Sequence, residues 1–382
     1  MKFRSALPAA ILVAGFVAAA ASTRDAPGGG SASGLSPLAG AGVASSDARW
    51  DIPVVRNRSV LRYVRMFTQG SQQDEMALYL KRSGRYEAMI RSRLRARGMP
   101  EDLVYLSLIE SGFNPTARSS ASAVGLWQFM APTARDYGLR VDGYVDERRD
   151  PERATDAALR YLRDLYAHFG SWGLAAAAYN TGQGRVERVM KSETGKVRGD
   201  ENAFWLIRHR LPRETREYVP LMMAAALIGK EPHKYGMEDV ARWMPLQVDS
   251  VEVPGGTTLR TLGEAVGASE NDLARLNPHL VQRMTPPGKP FPVRIPSGGA
   301  AAFATNWSRV HAAAERETEL ARAQTRARTR TASRSTHVVR RGESLWTIAR
   351  RNDLTVAQLK RANNLRASTV RPGQRLSIPR GR

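Results

Sequence analysis

From residue 54 to residue 232 the apolar residues recur at helical spacing, and no stretch alternates as a half-buried strand would. A region of that length without strands has to bury its apolar surface helix against helix. Val60, Tyr63, Val64 and Phe67 stand at i, i+3, i+4 and i+7, and Met76, Leu78, Tyr79 and Leu80 open a second helix. Gly125–Met130 and Pro132–Tyr137 read as one resumed helix, halted near Gly138. Asp146-Glu-Arg-Arg-Asp-Pro151 is charged and turn-like. Residues 154–169 are amphipathic, with Ala158, Tyr161, Leu162 and Leu165 on one stripe, and the alanine-rich run 172–179 leads into Asn180-Thr-Gly182. Residues 214–228 form a further helix, expected to be interrupted near Pro220.

Within this region Pro100 to Pro115 has an unusual helix. Pro100 with Glu101 and Asp102 marks its start, and Gly112 and Pro115 stop it. Glu110 therefore lies in the last turn, on the same face as Leu103 and Leu106. A carboxylate on a leucine stripe, at the negative end of the helix dipole, is disfavoured in its charged form. Its pKa should rise, as a general acid near neutral pH requires. From this segment alone, a surface glutamate or one paired with an arginine is the better account of the pattern.

The two ends are different in character. Lys2 and Arg4 precede the apolar residues 6–21, and the Ala18-Ala-Ala-Ala-Ser22 run offers small-residue cleavage sites, the layout of an export signal over 1–21. A retained membrane anchor is the alternative, although the segment is short for a span. Residues 22–50, rich in Gly, Ala, Ser and Pro, read as a flexible tether. The formal charge is +22, and residues 321–382 hold 16 Lys and Arg against Glu343 and Asp353, so about +14 of it lies in the tail. That balance implies an anionic partner. With no cysteine there is no disulfide framework, thiolate metal site or cysteine nucleophile. The six histidines show no ligand-like spacing, so neither metal nor cofactor is expected.

After Trp243 the pattern changes. A strand (248–253), the turn Pro254-Gly-Gly, two short helices (259–266, 271–277) and a strand (293–296) follow in order. The same βααβ order recurs over 337–380. Between the two, residues 297–336 begin alanine-rich and end as an Arg/Thr/Ala/Ser tract without an apolar face, expected to be a disordered basic linker.

Glu110-Ser111, Gly125-Leu-Trp-Gln128, Ala178-Tyr-Asn-Thr-Gly182 and Glu214-Thr-Arg-Glu-Tyr-Val-Pro220 resemble, in order and rough spacing, the motifs of lytic transglycosylases. Leu126–Met130 and Asp146–Pro151 look most like the D type of the membrane-bound murein enzymes. Val338-Val-Arg-Arg-Gly-Glu-Ser-Leu-Trp346 and Arg371–Pro379 resemble a LysM module. The resemblance implies a mainly α chain. A lysozyme-like helical catalytic domain (96–232) would follow a helical extension (51–95), with a divergent LysM-like module (245–296) and a LysM module (337–380) after it. It implies cleavage of the peptidoglycan bond between N-acetylmuramic acid and N-acetylglucosamine with formation of a 1,6-anhydro ring, Glu110 acting first as acid and then as base. Ser111 and Ser119 would hold the glutamate or sugar hydroxyls, and Gln128 would bond the saccharide. Tyr179 and Asn180 would line the cleft, and Tyr218 would approach the acid. Trp127, where the wider family often has methionine, either stacks on a sugar or packs in the core.

The implied partners are peptidoglycan glycan strands, with the LysM modules on N-acetylglucosamine polymer. The expected state is a monomer in the periplasm or envelope, membrane-held only through an uncleaved signal, since the lipobox cysteine of lipid-anchored relatives is absent. Two other readings use the same residues. A hydrolase would need a second carboxylate, which no motif picks out among Asp136, Asp142 and Asp146; a wall-binding protein would use the helical domain as scaffold only. A nucleic-acid role lacks interleaved aromatics or a reader fold.

Overall fold

The computed structural model describes residues 50–332 and 336–379. The expected export signal (1–21) and all but the last residue of the tether (22–50) lie outside the described residues. Two compact units divide between Ala301 and Ala302. Among the described residues no helix is long and apolar enough to cross a membrane.

In the first unit the helices run α1 (Arg58–Phe67), α2 (Ser71–Arg95), α3 (Val104–Ser111), α4 (Ala131–Asp136), α5 (Pro151–Phe169), α6 (Trp172–Thr181), α7 (Gln183–Thr194), α8 (Ala203–Ile207) and α9 (Arg213–Lys230). The stripe read from the sequence in α1 is the buried one: Val60, Tyr63, Val64 and Phe67. Residues 51–95, read as an extension, share one core with the helices that follow. Helix α3 departs from an amphipathic stripe, because every residue from Val104 to Ser111 is buried. It is the central rod of the bundle, entered through a 3-10 turn (Glu101–Leu103) and stopped at Gly112, whose φ of +55° closes a left-handed cap. A side chain at Gly112 would meet the Tyr79 ring at 2.1 Å.

Helix α9 packs along α1, α3 and α6. It is not interrupted at Pro220, as its sequence led us to expect; it continues from Arg213 to Lys230. Proline removes the N–H that would bond the carbonyl of Arg216. Arg208 Nε supplies that donor instead, at 2.7 Å. The same guanidinium reaches Ser59 Oγ and Glu217 Oε1, both at 2.9 Å, so the repair also ties α1 to α9.

Residues 125–130 are likewise not helical. Val124 and Phe129 exchange both backbone hydrogen bonds at 3.1 Å, and Gly125 (φ +89°) and Gln128 (φ +46°) turn the chain between them. Two positive φ values exclude a right-handed helix here, and α4 begins only at Ala131.

The first unit ends with β1 (Val248–Val253), α10 (Leu259–Val266), α11 (Glu270–Leu276) and β2 (Phe291–Pro296); β1 and β2 pair antiparallel, Val248 opposite Pro296 and Val253 opposite Phe291. Val253, Leu259, Leu262, Leu273, Val293 and Ile295 are among the buried apolar residues of this module.

The expected disordered linker is instead a helix, α12 (Gly299–Ala332). Alanine, glutamate and arginine have high intrinsic helix propensity, and exposed arginines need no apolar partner face to be helical. The rings of Phe303, Trp307 and His311 follow one another four residues apart at 5.0 and 4.9 Å, and Thr318 and Thr325 bond back to Ala314 and Ala321.

The second unit then forms β3 (Thr336–Val338), α13 (Leu345–Arg351), α14 (Val356–Ala362) and β4 (Arg375–Ser377), with Thr336 opposite Ser377. Val339, Leu345, Ile348, Leu359, Leu376 and Ile378 fill its core. An asparagine holds each βααβ unit shut in the same way. Asn277 accepts from Arg294 N and donates to Leu273 O and Arg294 O; Asn363 accepts from Ser377 N and donates to Leu359 O and Ser377 O.

Candidate active site

Glu110 ends the buried rod α3 and is 1% exposed. Burial is the main cause of its altered acidity: it pushes the carboxyl up to about 8. Two neighbours modify that value. The Tyr218 hydroxyl, delivered by α9, donates to Oε1 at 2.5 Å and favours the anion, while Glu214 repels it. Oε2 is buried and has no hydrogen-bond partner among the described residues. Near neutral pH the group is thus mostly protonated, with one oxygen fixed and the other uncommitted.

Glu214 stands one helical turn before Tyr218, so the two share a face of α9. Sequence reading quoted it within a motif but gave it no role; its i, i+4 relation to Tyr218 was the available signal. Asn180 at the end of α6 donates to Glu214 Oε1 (3.1 Å) and accepts from Thr215 Oγ1 (2.8 Å). Burial raises the pKa of Glu214, and the Asn180 hydrogen bond offsets it only in part.

The remaining residues expected at the site are held in different ways. Tyr179 is half-buried and donates to the Trp127 carbonyl at 2.8 Å. Its ring lies 5.1 Å from Tyr161, which lies 4.9 Å from Tyr137, a row of aromatics that the sequence had placed on separate helices without linking them. Gln128 donates from Nε2 to Gly125 O (2.9 Å), and its Oε1 is buried without a hydrogen-bond partner among the described residues. Trp127 is a core indole: it is fully buried, with Nε1 donating to Thr155 Oγ1 at 3.0 Å.

Ser111 lies beside Glu110 in sequence, but its hydroxyl is directed at the Leu126 carbonyl (2.9 Å) and the Ser107 carbonyl (3.2 Å). Ser107 Oγ donates to the same Leu126 oxygen at 3.1 Å. The two serines pin the Gly125–Gln128 turn to α3. Ser119 accepts from Ala123 N at 3.0 Å within its own loop. Ser111→Ala should therefore cost about 1–2 kcal/mol of stability, the usual effect of losing a buried hydrogen-bonded hydroxyl. Urea unfolding checks this. Among the described residues no cluster of His, Asp and Glu could hold a metal ion.

Residues 87–201 match the family described as Transglycosylase SLT domain, and residues 337–379 match the LysM domain family. The chain carries a transglycosylase SLT domain and a LysM domain. It is 33% identical to the membrane-bound lytic murein transglycosylase D of Escherichia coli (strain K12) over 297 residues, 78% of this chain and 64% of that protein. It therefore spans less than two thirds of that relative's length. It is 34% identical over 121 residues to the soluble lytic murein transglycosylase of the same strain, 30% of this chain and 18% of the relative. Among solved structures, a lytic transglycosylase Slt from Pseudomonas aeruginosa aligns with 49% of this chain and 30% of its own, at 23% identity and a TM-score of 0.36. The SLT match begins inside α2 and ends before α8, so Glu110, Ser111, Ser119, Gln128, Tyr179 and Asn180 fall within it, while Glu214 and Tyr218 lie beyond its end.

Proposed function

We propose that the protein is a peptidoglycan lytic transglycosylase in which Glu110 is the single acid and base. Protonated Glu110 gives its proton to the glycosidic oxygen between N-acetylmuramic acid and N-acetylglucosamine, and the C1–oxygen bond breaks. The muramoyl C6 hydroxyl then adds to C1 and returns its proton to the carboxylate, closing the 1,6-anhydro ring. No water is consumed and the enzyme ends as it began. The observation that carries this reading is the Glu110 carboxyl itself, buried, pushed up to about 8 and held at Oε1 by Tyr218.

Two of the carboxylates weighed as a second acid are already engaged, which favours this over hydrolysis. Asp146 is clamped by Arg148 through two contacts of 2.8 Å, and Asp142 accepts from the amides of Tyr144 and Val145. Gln128 Oε1 and Tyr179 are suited to hold the sugar, with Asn180 holding Glu214 in place.

The LysM domain would retain the enzyme on N-acetylglucosamine-containing strands in the cell envelope. Trp346 is exposed there with Arg350 over its ring at 5.2 Å, and offers an apolar face to a sugar. Digestion of purified sacculi followed by mass analysis tests the reading. The expected muropeptides lack one water and have no reducing end; reducing muramic acid as the main product would make the enzyme a hydrolase. If the protein bound sacculi and released nothing, it would be a wall-binding protein.

Tyr218→Phe supplies a further check. It removes the hydrogen bond that favours the Glu110 anion, so the pKa of Glu110 moves higher still. The alkaline limb of the kcat/KM profile should shift upward. Turnover should fall about 10- to 100-fold, in line with about 1.5–3 kcal/mol for a hydrogen bond to a charged group. A pH profile superimposable on the wild type would show that Tyr218 does not act on the acid.

A further inference from the structure

The charged run Asp146–Pro151, read from the sequence as a turn, is buried and works on both sides. On one side it supports the turn that carries Gln128. Arg148 is 7% exposed, held by both oxygens of Asp146, and it donates to Phe129 O (3.1 Å) and Ser122 O (3.2 Å). Its own carbonyl lies against Gly125.

On the other side the run meets the first βααβ module. Asp146 N donates to His279 O (2.9 Å), Val281 N to Tyr144 O (3.0 Å), and Gln282 Nε2 to Gly143 O (3.1 Å). Val145 and Leu280 form a β-bridge. Asp150 then caps α5 with Oδ1, accepting from the amides of Glu152 and Arg153, while Oδ2 pairs with Arg294 at 2.8 Å. The His279 ring is 3.5 Å from the same oxygen. Burial opposes the charge on Asp150, but Arg294 and the capping amide hold its pKa below the ordinary carboxylate range.

The second module provides an internal comparison. Its asparagine latch equates Asn277 with Asn363 and Arg294 with Ser377, and counting two residues on from each asparagine equates His279 with Leu365. The docking side chains therefore belong to the first module alone, grafted on a scaffold both modules share.

From this arrangement we infer that the first βααβ module is a brace for the active site: docked through Arg294 and the 279–282 segment, it fixes Asp146–Asp150, and Arg148 passes that restraint to the Gly125–Gln128 turn. Arg294 is a positioning residue, acting through Asp150 and never on substrate. The consequence for turnover rests on the transglycosylase reading; the mechanical coupling does not.

Hydrogen exchange on the full chain separates the two. In Arg294→Ser, which installs the residue of the second module, the amides of Asp146 and Val281 should lose protection, and those of Val124 and Phe129 should lose it with them. The expected loss is about tenfold, the scale of coupling between linked elements. Turnover should fall about as much, through kcat with KM little changed, and Arg294→Lys should recover both. Gln282→Ala, which removes one exposed contact, repeats the exchange test more mildly if the serine variant folds poorly. Faster exchange at Asp146 and Val281 with Val124, Phe129 and kcat unaltered would overturn the brace. So would unchanged exchange at all four amides. Coupled exchange in a protein whose wild type shows no turnover would fault the proposed function and leave the brace standing.

Discussion

Glutamine at position 110 is expected to give a protein that is folded, more stable than the wild type above neutral pH, and inactive. The loss of activity follows from the chemistry, since an amide can neither donate the proton nor take it back. General acid–base groups are worth about 10²–10⁴ in rate, and here one group serves both steps, so a fall of about 10³-fold or more is expected. The gain in stability follows from linkage. In the folded protein the carboxyl titrates at about 8, against an ordinary value of 4.5. Between those two pH values the folded state holds the proton and the unfolded state has released it, so stability is lost as pH rises from 4.5 through about 8. At pH 7 this costs about 3 kcal/mol, taking 1.36 kcal/mol per pH unit. Glutamine has no charge to lose, and its Oε1 can still accept from Tyr218. Part of the gain is offset by its buried N–H groups, which leaves about 1–3 kcal/mol. Urea unfolding of both proteins at pH 5 and pH 8 checks this. A stability difference that does not grow with pH would mean that the carboxyl is not desolvated.

The position of Glu110 was legible because punctuation surrounds it. Pro100 and Gly112 bound the helix, and the leucines spaced before the glutamate gave its face. That the whole of α3 is buried was not legible, since a central rod and an amphipathic helix of eight residues differ only in what packs on the far side. The turn at Gly125–Gln128 was misread for a related reason. Leu126, Trp127, Phe129 and Met130 have the composition of a helix, and the positive φ of Gln128 leaves no trace in residue type. Pro220 failed in the other direction. The local rule against proline holds only when nothing else reaches the orphaned carbonyl, and Arg208 does so from eight positions before that carbonyl. Charge was the least legible property. The Asp146–Asp150 run looks like solvated surface, yet Asp146, Glu147, Arg148 and Asp150 are all buried, because their partners sit in loops and a module far along the chain. In α12 the error was to treat lack of an apolar face as lack of structure, where intrinsic propensity sufficed.

Gly125→Ala should be the most damaging of the small substitutions. With φ at +89°, the position already costs a side chain about 1–2 kcal/mol. A Cβ there would also stand 1.8 Å from the Arg148 carbonyl oxygen, a backbone atom that cannot rotate aside. One of the two segments has to move. The 146–150 segment is restrained by Arg148 on Asp146 and by Asp146 on His279, so the turn should yield. It carries Gln128 and the Trp127 carbonyl that receives Tyr179, and both would be displaced. A shift of about 1 Å in a positioned group can cost about 10²-fold in rate. A stability loss of about 3 kcal/mol or more should accompany it, as for other backbone clashes in a core. Gly138→Ala is the matching control. Its φ is +83°, but its nearest neighbour is the end of the Arg160 side chain at 3.9 Å. That variant should pay the backbone term alone and keep its turnover. If the two alanine variants lost equal stability and both retained activity, the close seating of the Gly125 turn against Arg148 would not matter to the chemistry. Unequal losses, with turnover gone only at Gly125, would show that backbone contact at this one turn holds Gln128 and the Trp127 carbonyl where the chemistry needs them.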